Sequence, residues 1–202
     1  KITASSILEY IKVLPSTENL GTSLPTVTGM LKRMVRDHLI IKNKNNEVFL
    51  TEYGEISAKE QTKRFRLASK FVHEILKIDL KNVFQEAHLL EHAISQDVEN
   101  AIEKLLNYPD KDPFGQDIPG SNKTEKINII PLSKTTKNKS YTISKIPPEN
   151  PEFVDFLHTN KILPGSIITI HEVSDTRGII NIKINNNSVD LALNVAKTIW
   201  VK

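Results

Sequence analysis

Residues 86 to 92 read EAHLLEH, and within them His88, Glu91 and His92 have the spacing H-x-x-E-H. On a helix, positions i, i+3 and i+4 share one face. Two imidazoles and a carboxylate therefore point at one place, a donor set that suits Zn2+, Fe2+, Mn2+, Ni2+ or Co2+. Three readings are open: a catalytic zinc site, a regulatory metal site, or the polar seam of an ordinary helix. H-x-x-E-H is also the inverzincin peptidase signature, in which both histidines bind zinc and the glutamate is the general base. Such an enzyme needs a further carboxylate ligand from a distant helix and a substrate cleft. The flanking Leu89, Leu90, Ala93 and Ile94 read as the apolar side of the helix, which sets the three polar residues together on another side. No Ser-His-Asp arrangement argues for an enzyme, and the chain reads as a non-enzyme.

The bulk numbers bound what can hold such a site. The chain has 202 residues, enough for one large domain or two small ones. With 39% hydrophobic and 25% charged residues it can build a sizeable core. A net charge of +3 excludes a histone-like polycation and leaves room for a local basic patch. There is no cysteine. A disulfide scaffold and a thiolate zinc site are excluded, so any metal must use His, Asp, Glu, Met or backbone oxygen. Zero cysteines fit a cytoplasmic location. No run of about 18 apolar residues is present, so no membrane span is expected. Ser5, Ser6 and Glu9 interrupt the first apolar run, so no signal peptide is expected.

Residues 3 to 14, TASSILEYIKVL, carry apolar side chains at helical period. In TSLPTVTGMLKRMVRDHLI, Ser23 is an N-cap, Pro25 sits in the first turn, and Val27, Met30, Leu31, Met34 and Val35 form one apolar face. Two β-prone runs, 39 to 42 and 47 to 51, flank Asn43 to Asn46 and read as a hairpin with a polar, basic tip. Helix, turn, helix and basic hairpin together make a winged helix-turn-helix. Helical patterns follow over about 53 to 76, over about 80 to 94, and from Ser95, the cap of an amphipathic helix with Val98, Ile102, Leu105 and Leu106. A Pro- and Gly-containing loop then marks a boundary. From about residue 127 short alternating runs, interrupted by a single helix candidate, PEFVDFLHTN, predict a small β-barrel of about 75 residues. The expected fold is α+β. It comprises an N-terminal winged helix-turn-helix over 1–55, an all-α segment over 56–120 and a small C-terminal β-barrel over 121–202.

Several of these stretches resemble the diphtheria-toxin-repressor family of metal-dependent transcriptional regulators, which has iron- and manganese-dependent branches. SLPTVTGMLKRMVRDHLI is similar to the family's recognition helix and the strand after it. RFRLASKFVHEILKIDLKNVFQEAHLLEHAISQDVENAIEKLL is similar to its dimerisation and metal-binding helices. DPFGQDIPG matches the loop that closes that domain, and FLHTNKILPGSIITI and ALNVAKTIWV resemble its SH3-like, FeoA-type barrel. The resemblance implies a homodimer whose primary metal site contains His88, Glu91 and His92, with Fe2+ or Mn2+ as the physiological ion and Zn2+, Co2+ or Ni2+ as substitutes in vitro. His88 stands where relatives carry Cys or Glu. One further ligand comes from the N-terminal helix, where Glu9 is the candidate and Ser6 is another register.

An ancillary site is implied differently. Glu149 and Glu152 match the barrel's contribution to it, but the family's helix ligands are replaced by Phe65, Ser69 and Phe84. Either one ion is bound per subunit or the second site is rebuilt, with His73 and His158 as the histidines available. The stretch PSTENLGT between Leu14 and Ser23 is also shorter than the connection and helix that the family places there.

The function implied is metal-dependent control of operator binding. Metal would tie the N-terminal helix to the His88 helix and fix the two DNA-reading domains of a dimer at the spacing of successive major grooves. Binding requires deprotonated imidazoles, so it weakens below about pH 6.5. Ser23, Thr26, Thr28 and Lys32 are expected to face double-stranded operator DNA near the start of the recognition helix. Arg33 and Arg36 follow along it, and Lys42 and Lys44 lie on the wing. No small-molecule substrate is implied. A metal-independent regulator of the same fold and a zinc peptidase are the competing readings.

Overall fold

The computed structural model describes residues 1–12, 21, 23–121, 128–185 and 187–202. Most of the stretch shorter than its family counterpart thus lies outside the described residues. The chain divides into two compact units, Lys1–Phe65 and Arg66–Lys202.

In the first unit, helix α1 spans Ala4–Ile11 and α2 spans Leu24–Arg36. Each begins where a side chain satisfies an orphan backbone donor. Thr3 and Ser6 close a capping box on α1. Ser23 accepts from the Thr26 amide at 3.3 Å at the start of α2, with proline in the first turn as expected. Strands β1 (Ile40–Lys42) and β2 (Val48–Leu50) pair antiparallel, with Ile40 opposite Leu50. The Asn43 side chain holds the turn between them, accepting from the amides of Asn45 and Glu47. Ile11, Val27, Leu31, Ile40 and Val48 are the buried centre of this unit. Helix α3 (Glu52–Glu74) starts there and continues into the second unit.

The second unit adds α4 (Leu80–Glu91) and α5 (Gln96–Leu105). After them come β3 (Ile130–Pro131), β4 (Ser140–Lys145), α6 (Pro151–Thr159), β5 (Ile167–Ser174) and β6 (Ile179–Ile184). The unit ends with β7 (Asn187–Ala192), α7 (Leu193–Ala196) and β8 (Trp200–Val201). The strands lie in the order β3-β8-β4-β5-β6-β7, each paired antiparallel to its neighbours. The pleat sends alternate side chains to opposite faces, and Ile168, Ile170, Ile180, Ile182, Val189 and Leu191 all face inward.

Two expectations change here. Among the described residues β3 and β7 are the two edges of an open sheet, and no closed barrel is found. Its edge strand β3 is only two residues long, so it offers few ladder bonds for closure against β7. The β-rich segment also holds a second helix, the one-turn α7, inside a run that reads as strand and turn.

The loop DPFGQDIPG joins the helical part of this unit to its sheet. Phe114 is fully buried in the same core as Val72, Leu80 and Val83 of the helices and Ile143, Leu157 and Ile168 of the sheet segment. Ile118 packs with Leu67, Ile94 and Ile102 in a second cluster. Gly115 has φ +82°, and a Cβ there would meet the Ser144 carbonyl oxygen at 2.0 Å. Gly115→Ala should therefore lower unfolding stability by about 2 kcal/mol, readable in a urea titration.

Asp112 turns the loop. Its buried Oδ1 accepts from the amides of Phe114 at 2.9 Å and Gln116 at 2.8 Å. Burial raises its pKa from 3.8 to about 6, against the lowering by those hydrogen bonds and by Arg66 and Lys70. Between these two values the folded chain holds a proton that the unfolded chain has released. The contribution to stability is therefore present at low pH and is lost as pH rises through about 6. Asp112→Asn keeps an acceptor oxygen and does not titrate. Relative to it, the unmodified chain should lose stability across that window by up to about 1.4 kcal/mol per pH unit, measured by denaturant unfolding at several pH values.

Candidate metal centre

Helix α4 buries Leu80, Val83, Ala87 and Glu91, a stripe at positions i, i+3, i+7 and i+11. The carboxylate of Glu91 therefore lies on the packed side of the helix, at 5% exposure. This corrects the side assignment read from the sequence. Leu89, read as apolar face, is 62% exposed, and Ala93 is exposed as well. The helical period puts residue 91, not 89, in line with the buried stripe.

The three polar residues nevertheless meet. His88 Nδ1 is 3.7 Å and His92 Nε2 is 3.4 Å from Glu91 Oε1. The two rings stand edge to face with centroids 4.8 Å apart. One ligand atom from each residue can be chosen so that all lie within 4.8 Å of one another, and no other such group of three occurs among the described residues. Donors bound at about 2.1 Å from an ion in tetrahedral geometry are about 3.4 Å apart, so a small inward turn of the rings fits one divalent ion. A buried carboxylate is costly without partners, and the two imidazole edges supply them. His92 caps the end of the helix and is exposed, which leaves one side of the cluster open for further ligands.

The other candidates are placed as follows. Glu9 is exposed on α1, in the first unit, and Ser6 is engaged in the capping box of that helix. Glu149 is half-buried just before the Asn150 cap of α6, and burial raises its pKa. Glu152 is exposed in the first turn of α6. Among the replaced ancillary positions, Ser69 is fully buried, while Phe65 and Phe84 are half-buried. His73 and His158, 85 positions apart in sequence, line one cavity of about 460 Å³. Asp79 lines it too.

Of the basic and hydroxyl residues on α2 and the hairpin, Lys32, Arg33, Arg36 and Lys44 are exposed, while Thr28 and Lys42 are half-buried. Ser23 Oγ and Thr26 Oγ1 are 2.7 Å apart at the helix start. Arg36 pairs with Asp37 at 3.0 Å. A side chain at Gly29 would meet open space.

Comparison with known proteins places this geometry. Residues 51–120 match the family model for the iron dependent repressor, metal binding and dimerisation domain. Residues 130–202 match that of the FeoA domain. The chain carries the metal binding and dimerisation domain of iron dependent repressors, followed by a FeoA domain. It is 29% identical over 197 residues to the diphtheria toxin repressor of Corynebacterium diphtheriae, covering 92% of this chain and 85% of that one. Against the iron-dependent repressor IdeR of Mycobacterium tuberculosis it is 28% identical over 167 residues, covering 83% and 71%. The structure is similar to that of a manganese-dependent transcriptional repressor in complex with manganese, with TM-score 0.82 at 26% identity over 91% of this chain and 86% of that one. It is also similar to ScaR with bound Cd2+, with TM-score 0.81 at 25% identity over 100% and 91%. The α4 cluster falls inside the segment matched by the metal-binding domain of the family.

Proposed function

We propose that this protein is a repressor that senses Fe2+ or Mn2+ through His88, Glu91 and His92 and binds operator DNA in response. The observation that carries the reading is the buried Glu91 carboxylate, edged by two imidazoles on one helix. Held by these three side chains, a divalent ion would supply a positive charge beside the buried carboxylate.

The chain's own residues supply the rest. Residues 1–55 act as a winged helix-turn-helix, with α2 as recognition helix and the β1–β2 hairpin as wing. Residues 56–120 form the dimer core, and 121–202 an SH3-like appendage that leaves its sheet open. Lys32, Arg33 and Lys44 are exposed cations suited to phosphate contact. Arg36 must give up its pairing with Asp37 to join them. Ser23 and Thr26, at the amino end of α2, can donate their hydroxyls to phosphate or base edges; Thr28 and Lys42 contribute from half-buried positions. Gly29 reads no base. A dimer places two such helices on successive turns of one DNA face.

Operator gel shifts with Mn2+, Fe2+, Co2+ and Zn2+, run beside calorimetric titration of each metal, test the reading. The expected result is saturable metal binding with operator affinity rising about 5- to 150-fold. No saturable heat together with unchanged operator affinity overturns it.

A further inference from the structure

A glycine inside a helix needs a reason, because apart from proline it is the poorest helix former. The chain has 7 glycines. The fold explains all but one. Gly21, Gly115, Gly120, Gly165 and Gly178 have positive φ, which side chains rarely adopt. A Cβ on Gly54 would meet the Leu39 carbonyl oxygen at 1.9 Å. Gly29 has neither reason. It is exposed in the interior of α2, and its φ is not among the positive ones. Among the described residues nothing lies within 4 Å of a Cβ built on it.

The face that carries Gly29 has a definite character. Neighbours on a helix surface are three and four positions apart. For residue 29 these are Pro25 and Thr26 on one side and Lys32 and Arg33 on the other, all four exposed. Val27 and Leu31, on the opposite side of the helix, are buried in the core of the first unit. No acidic residue occurs in α2. The glycine is thus a notch in the exposed stripe, set between a hydroxyl-bearing turn and a cationic turn. Packing inside the unit does not use the notch, whereas a partner that comes up against the main chain would.

We propose that Gly29 is the point of closest approach between α2 and the major groove of double-stranded DNA. This role rests on the reading of α2 as the recognition helix and assigns to one residue the depth at which that helix sits. The groove is about 12 Å wide, and a helix with its side chains is about 10–12 Å across. Clearance is small, so the bulk of the groove-facing side chains sets how far the helix enters. With only hydrogen at position 29, the main chain comes against the base edges. Thr26 then reaches bases from one flank, and Lys32 and Arg33 reach phosphates from the other. A polyanion is the partner that suits this stripe, because its cations face no carboxylate on their own helix.

Fluorescence anisotropy of the full chain on a labelled operator duplex with Mn2+ tests this, using Gly29→Ala, Gly29→Leu and Lys32→Gln/Arg33→Gln. Both glycine variants should melt a few degrees higher, because alanine and leucine are better helix formers and the position is open. Operator affinity should fall about tenfold or more in Gly29→Leu and by less in Gly29→Ala. Stability and affinity moving in opposite directions is the signature, since damage to the fold would lower both. Operator affinity unchanged or tighter in Gly29→Leu overturns the proposal. The lysine–arginine variant separates this outcome from failure of the reading beneath it. Unchanged affinity in that variant removes α2 as the recognition helix, whereas its loss beside intact binding by Gly29→Leu removes only the role of Gly29.

Discussion

With His88 and His92 both replaced by alanine, operator affinity should be the same with and without Mn2+ or Fe2+. A coupling of about 1–3 kcal/mol separates the two states in the unaltered chain, so the expected loss is the full 5- to 150-fold enhancement. The residues removed are two of the three donors that the α4 helix brings within 4.8 Å. His92 is exposed and His88 half-buried, so truncation opens no sizeable cavity and the thermal melt should move little. Glu91→Gln is the sharper companion. It keeps the shape of a side chain packed at 5% exposure and removes the charge that two imidazoles and an ion would share. Its metal-free stability should stay near that of the unaltered chain, because the amide keeps the shape and still accepts a hydrogen bond, while its metal affinity falls. Gel shifts across a metal titration measure the first outcome and denaturant unfolding the second. A double-histidine variant that still tightens on DNA when metal is added would remove the α4 cluster from the mechanism.

Phe114→Ala should cost about 3–5 kcal/mol, the range for emptying a fully buried aromatic site. Phe114 is 0% exposed and belongs to a cluster that contains both helix residues, such as Val72 and Val83, and residues of the six-stranded sheet, such as Ile143 and Ile170. Its backbone is pinned on either side. The Phe114 amide donates to Asp112, and its carbonyl accepts from the Ile146 amide at 3.0 Å. The void therefore has little freedom to collapse. Urea unfolding of the full chain measures the loss, and a cost below about 1 kcal/mol would mean that this loop does not couple helices to sheet.

The two residues show how differently sequence and structure bear on the molecule. The H-x-x-E-H spacing is local, since a helix of fixed period must bring positions 88, 91 and 92 together whatever surrounds it. The same holds for the caps at Ser23 and Ser95, each a side chain acting three residues ahead. The alternation of isoleucines in β5 and β6 is likewise written in the order of residues, because strand geometry has a period of two.

Burial and closure are not local. Leu89 and Glu91 are two positions apart, and only the packing around α4 decides that the leucine faces solvent and the glutamate faces inward. The barrel expected from short alternating runs is an open six-stranded sheet, because closure depends on how many ladder bonds an edge strand as short as β3 can form. His73, Asp79 and His158 share a cavity although the third lies 85 positions from the first, and no sequence period connects them. By itself, then, the order of residues determined the local groupings: the metal-ligand triplet, the helix starts and the inward stripe of the strands. Tertiary structure decided which of those groups are dry, which edges stay unpaired and which distant side chains face one another, since each of these depends on chain segments meeting through space.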